Sequence, residues 1–354
     1  MSNVVSLRRH GLGGLEPAIP ALVDLFSTRR RHRQDPFWLK ENAELAQILA
    51  ATGATDVDLS PLAPFVGEMV DEIRFFPQYY RLYLSLAVDL AALGMPGVPV
   101  DDLVAFAVEN DLGGIELSDM HRAEVALLLR RAGLEAETDA ALAARLWAFA
   151  RRPGGFCLPN RRAAYDLTHI VFHAADYGRK VLPADPQLRV NLIHAGMVAW
   201  LEDNLDLLSE VVIALRLSGH QAPEAWVRAV TRGAAEADFA PGHEGARFDD
   251  DYHQYLVANW AACVLGGPSF VLGVPGNARL IHQRRAASPA LRELSYALLE
   301  MGAERSGDWS HMRWRLWPKL SDASRTRVGA LENMQEFGEF FAGFARAGRG
   351  RAVS

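Results

Sequence analysis

The stretch Arg161–Gly178, RRAAYDLTHIVFHAADYG, sets the reading of the whole chain. Ala163, Ala164, Leu167, Ile170, Val171, Ala174 and Ala175 recur at three- and four-residue spacings. That is the period of an α-helix packing one face, not of a strand. Tyr165, His169, His173 and Asp176 form the other stripe, bordered by Phe172. At about 100° per residue, His169, His173 and Asp176 fall within about 60° of one another on a continuous helix. A water-facing stripe carries Lys, Glu, Gln and Arg. Here Arg162 and Lys180 stand only at the ends, so the composition fits a pocket wall.

The same spacing runs outward in both directions, and period-two runs are almost absent. Ala and Leu dominate, which suits helix. The pattern predicts helices over 38–52, 60–74, 78–93, 101–109, 118–132, 138–151, 161–178, 188–201, 204–218, 222–236, 250–265, 289–303, 308–316 and 325–346. Ser118 before an apolar run reads as an N-cap, and Gly133 as the stop after Arg131. The segment Ser269–Gly276, SFVLGVPG, is a loop or at most a two-strand element. No strict tetratricopeptide, HEAT or ankyrin signature occurs. The expected fold is all-α, helical hairpins closed into an α/α toroid around a central cavity, with a helical solenoid as the alternative. Residues 1–36 read as a flexible lead-in whose basic run, Arg29–Arg33, is solvated; 37–347 form one helical domain, and 348–354 a disordered tail.

Of the 354 residues, 50% are hydrophobic, enough for a sizeable core, and the formal charge is −6. An acidic balance argues against a general nucleic-acid binder, which needs a basic surface. No stretch reaches the ~20 apolar residues of a membrane span. Arg8-Arg9 is followed by Glu16, Pro17 and Pro20 rather than by the apolar region of an export signal. Two cysteines, Cys157 and Cys263, make no disulfide framework, and the expected location is the cytoplasm.

Imidazoles at i and i+4 present two nitrogens to one metal ion, and a carboxylate one turn on completes a two-His, one-carboxylate set. His169, His173 and Asp176 have that spacing, without the Glu of a His-Glu-x-x-His motif. A structural polar cluster and a metal-free catalytic pocket are the competing readings. His253 shares a face with Leu256, Val257 and Trp260, and His194 lies among Val190, Val198 and Leu201; both point inward, as further ligands or as satisfied core histidines. Asp206 and Glu210 stack at i and i+4 on a nearly all-apolar helix. Burying two carboxylates is costly without a cation or a proton. Asp206 is thus a ligand, a partner to a His or a general base, unless it simply favours the helix dipole. Asp249–Asp251 read as N-terminal caps of the His253 helix. The aromatic clusters Phe75–Tyr80 and Trp309–Trp317 read as core, and Cys157 has no activating neighbour in sequence.

The segments YDLTHIVFHAADYG, DNLDLLSEVVIALRLSG and DDYHQYLVANWAACVLG resemble an uncharacterised bacterial family with an α/α-toroid look. That family is distantly similar in architecture to terpenoid-cyclase and prenyltransferase toroids. The chain has neither Asp-x-Asp-Asp nor Gln-Trp repeats, so the resemblance implies a fold and not that chemistry.

The functional expectation is a metal-dependent enzyme acting on a small molecule or peptide in a central helical cavity. His169, His173 and Asp176, with His253 and His194, hold a divalent transition metal, non-haem iron or zinc. Asp206 and Tyr165 do the chemistry. The alternative is a non-catalytic scaffold or apolar-ligand carrier with a polar histidine core.

Overall fold

The structure, a computed structural model, describes residues 15–16, 18–134, 139–242, 249–283 and 290–347. Among them the fold is all-α. Its helices are α1 (Ala18–Asp24), α2 (Pro36–Ala51), α3 (Ala63–Val66), α4 (Met69–Phe75), α5 (Tyr80–Ala92), α6 (Val100–Glu109), α7 (Asp119–Arg131), α8 (Ala140–Ala150), α9 (Arg161–Ala174), α10 (Pro186–Glu202), α11 (Leu205–Leu217), α12 (Glu224–Ala235), α13 (Tyr252–Val264), α14 (Ala290–Glu300), α15 (Trp309–Leu316), α16 (Asp322–Leu331) and α17 (Phe337–Phe344). Starts follow the expected chemistry. The side chains of Asp35, Ser118, Asp139, Asn160, Asp185 and Asn204 each accept a backbone amide of the first turn.

The packing circuit places the site. α2 packs on α5, α5 on α7, α7 on α9, α9 on α11, α11 on α13, and α13 back on α2. Other helices lie against this circuit: α6 on α5, α8 on α7 and α9, α10 on α11, and α12 on α11 and α13. α11 is enclosed, with every residue from Leu207 to Leu215 buried. Its neighbours come close because Gly196 of α10 and Gly233 of α12 have no side chain. A Cβ there would stand 2.3 Å from the Trp226 ring and 2.3 Å from Leu205 Cδ2 respectively.

Strands are confined to two short ribbons among the described residues. β1 (Leu15–Glu16) pairs with β3 (Val274–Pro275), and β2 (Ala237–Ala240) with β4 (Leu280–Gln283), both antiparallel. The first uses part of the segment Ser269–Gly276. The second was not signalled, since four-residue strands carry too few alternations to stand out from loop.

Several expectations change. The lead-in contains a packed element, because α1 and the π-helical turn Leu25–Arg29 bury Leu22, Leu25 and Phe26. Within the basic run Arg30 is fully buried, not solvated. Its guanidinium donates to Glu41 at 2.9 Å and to Asp250 at 2.6 Å and stacks over Phe26 and Tyr252 at 5.0 Å. The helix expected over 325–346 is two, broken between Leu331 and Phe337. Residues 1–14 and the tail 348–354 lie outside the described residues. Among the described residues, no helix is long and apolar enough to cross a membrane.

Candidate active site

α9 presents two polar rows to different neighbours. Asp166, His169 and His173, at i, i+3 and i+7, line a cavity of about 510 Å³ with Tyr177 beyond the helix end. Glu44 of α2, Arg81 of α5 and Glu124 of α7 face them across it. Tyr165 and Thr168 turn the other way, toward α11.

Two carboxylates of α11, one turn apart, receive that second row. Asp206 accepts the Tyr165 hydroxyl at 2.6 Å and, from α13, His253 Nδ1 at 2.7 Å. Glu210, only 2% exposed, accepts the Thr168 hydroxyl at 2.5 Å, and its other oxygen lies 3.7 Å from His169 Nε2. Three neighbouring helices of the circuit therefore carry two carboxylate–imidazole pairs. Next to His253, the Tyr252 hydroxyl donates to Glu44 at 2.8 Å, and Lys40 lies 3.4 Å from Glu44.

Burial works against a charge on His253, but the Asp206 carboxylate, through charge and a hydrogen bond, more than offsets it and pushes the imidazole up to about 10. For Asp206, burial favours protonation, yet the adjacent imidazolium and the Tyr165 hydrogen bond hold it below the ordinary carboxylate range. The same contest at His169, burial against Glu210, also ends above the ordinary value. The His169 side chain is nonetheless 46% exposed, at the cavity wall. His173 goes the other way. Burial, with the charges of His169 and Arg81, drops it to about 3. Its Nδ1 is enclosed without a hydrogen-bond partner. The wall thus sets an imidazole raised above its ordinary value one turn from an imidazole lowered below it, their centroids separated by 6.0 Å. Burial and the Asp206 charge keep the Tyr165 hydroxyl protonated.

The expected ligand set is not assembled. Asp176 does not continue the His169–His173 stripe, because α9 ends at Ala174 and the chain turns left-handed at Asp176, Tyr177 and Gly178 (φ 48°, 51° and 99°). Its carboxylate lies 3.7 Å from Arg131 and from Arg179 instead. His194 is buried on α10 with Nδ1 3.3 Å from Cys157 Sγ and its ring against Phe340 of α17, none of which lines the cavity. Burial pushes that Cys157 thiol up to about 12, so it is an inert core group. Among the described residues, no three His, Cys, Asp or Glu side chains are grouped so as to hold a metal ion. Asp250 and Asp251 do not cap α13 with their side chains; they accept the amides of Ile281 and Gln283 of β4.

A domain of unknown function, DUF6902, matches residues 1–347. The chain belongs to the DUF6902 family. No curated protein and no solved structure matches this DUF6902 member, and no likeness to cyclase or prenyltransferase toroids is shown. Asp166, Glu44, Thr168 and Tyr252 went unmarked in the sequence. Asp166 alone had a signal there, its i, i+3, i+7 spacing to His169 and His173.

Proposed function

We propose that this chain is an enzyme that acts on a small molecule in the central cavity by general acid–base chemistry, within a helical circuit that we read as an α/α toroid. One observation carries the reading: two carboxylate–imidazole pairs, Asp206–His253 and Glu210–His169, stand on three adjoining helices, and the second opens through His169 on a cavity of about 510 Å³. Cavities of a few hundred Å³ suit small molecules. A carboxylate on one ring nitrogen fixes the tautomer and leaves the other nitrogen to give or take a proton. His253 Nε2 has no partner among the described residues. On this reading His253 is the proton donor and His169 its counterpart at the cavity surface. Asp206 holds His253, and Tyr165 holds Asp206 from the far side.

A metal-dependent enzyme is the second reading, favoured by the facing of His169 and His173 and by the enclosed, unpartnered Nδ1 of His173. It requires ligands beyond that pair, because Asp176 and His194 are engaged elsewhere.

Untagged protein incubated with a cell metabolite extract tests both. Mass spectrometry is expected to show a small molecule depleted by the wild type and not by His253→Gln or His169→Gln, with depletion unchanged after exhaustive chelation. Depletion that both variants retain, or none at all, overturns the acid–base reading. Depletion lost on chelation and restored by zinc or ferrous iron replaces it with the metal reading.

A further inference from the structure

A second cavity, of about 460 Å³, adjoins the first: Gln78 and Tyr79, at the short 3-10 turn ahead of α5, line both. Its character differs. Five aromatic rings, among them Phe65, Tyr83 and the partly exposed Phe76, share its wall with Glu68 and Glu72. The protein itself shows what this wall accepts. The guanidinium of Arg33 lies 5.0 Å from the centre of the Phe65 ring while donating to Glu68 at 2.5 Å and to Glu72 at 2.7 Å. An aromatic face flanked by carboxylates is a seat for a cation.

The charge balance points the same way in both chambers. Glu44, Glu124 and Asp166 line the first against Lys40 and Arg81; Asp35, Glu68 and Glu72 line the second against Arg33. That is six carboxylates to three cationic side chains. The imidazoles beside the first chamber do not close the gap, since His169 and His253 are matched by Glu210 and Asp206. Five of the six have a partner: Glu44 in Lys40 and Tyr252, Glu124 in Arg81, Asp35 in Arg31, and Glu68 and Glu72 in the single guanidinium of Arg33. Asp166 does not. It faces the first chamber with no hydrogen bond or ion pair among the described residues. In a concave site walled by protein, an unmatched carboxylate attracts a positive ligand more strongly than it would on an open surface.

We propose that the two chambers bind one elongated molecule with positive charge at both ends, a diamine or polyamine. One ammonium group meets Asp166 on the His169–His173 wall; the other lies among the aromatic rings and Glu68 of the second chamber. The proposal rests on the reading of the first cavity as a substrate site, but not on the acid–base roles of its histidines.

Calorimetric titration of the full-length chain with spermidine, octanediol and suberate tests it, three probes of similar length and different charge. Saturable binding of spermidine at millimolar concentration or tighter is expected, with neither octanediol nor suberate matching it. Asp166→Asn and Glu68→Gln, both at partly or fully exposed positions, are each expected to weaken spermidine about tenfold, the scale of one lost charge contact in a partly shielded site, with circular dichroism unchanged. Binding of spermidine requires no proton transfer by His253 or His169, so failure of the acid–base reading leaves this result standing. Absence of spermidine binding, equal binding of octanediol or suberate, or spermidine affinity indifferent to both carboxylate variants overturns the proposal.

Discussion

His253 Nδ1 lies 2.7 Å from Asp206 Oδ1, joining the first turn of α13 to the first turn of α11. The pair makes stability depend on pH in a defined window. His253 is raised from an ordinary 6.5, so its contribution is complete below pH 6.5 and lost as the pH climbs through about 10. Asp206 is lowered from an ordinary 3.8, so its contribution is complete above 3.8 and lost on further acidification. Both are complete between those two values. Chemical denaturation of wild type and His253→Gln is expected to show the largest difference in midpoint near pH 5 to 6, shrinking above pH 9. In a histidine NMR titration, Asp206→Asn is expected to bring His253 down to its ordinary value or below. A difference independent of pH contradicts the pairing.

His173 has the opposite linkage. Its folded form stays neutral to about pH 3, whereas the unfolded side chain protonates near 6.5. Between those values the unfolded state binds the extra proton, and stability falls as the pH falls. His173→Gln is expected to lessen the acid sensitivity between pH 6.5 and 3, measured by urea unfolding at several pH values. The ring resonances of wild-type His173 are expected to hold still over the same range, whereas those of His169, raised above its ordinary value, are expected to move mainly above it.

The helices were largely legible in the sequence, and the reason is physical: α9, α7 and α11 each carry an apolar period and a capping residue that agree. The metal set failed for an equally physical reason. Extrapolating about 100° per residue past His173 assumes a helix that continues, and three successive left-handed residues end it at Asp176. Left-handed conformations of Asp and Tyr are uncommon, so composition does not announce them. Asp206, Tyr165 and His253 were each marked in the sequence, but their meeting depends on α9, α11 and α13 being neighbours. That order is tertiary, and no local spacing encodes it. Arg30 shows the limit best. A run of five basic residues reads as solvated, and only Glu41 and Asp250, one on α2 and the other ahead of α13, draw its second member inside.

Arg30 yields a large effect on stability. It sits at 0% exposure, and Glu41 and Asp250, its carboxylate partners, are each 1% exposed at the side chain. Removing one member of a buried ion network leaves the others uncompensated, at a cost of about 3–5 kcal/mol. Arg30→Met is expected to destabilise the chain by about that amount in urea unfolding. Arg33→Met, on the same run but partly exposed and paired with Glu68 and Glu72, is expected to cost no more than about 1 kcal/mol. Equal effects of the two would mean that Arg30 is not the anchor of the segment before α2.

Gly196 tests the close approach behind α11. A methyl group there would meet the Trp226 ring at 2.3 Å and Val211 Cγ1 at 3.1 Å, and Trp226 is fully buried with no room to retreat. Alanine otherwise favours a helix interior over glycine by about 0.8–1 kcal/mol. Propensity therefore predicts stabilisation and packing predicts loss. Overpacking a dense interior costs about 1–3 kcal/mol, and the clash is with a rigid indole, so packing prevails. Gly196→Ala is expected to lower stability by about 1–3 kcal/mol, and Trp226→Leu in the same background to recover part of it by freeing the space. A single variant as stable as the wild type would show that α10 does not approach α12 this closely.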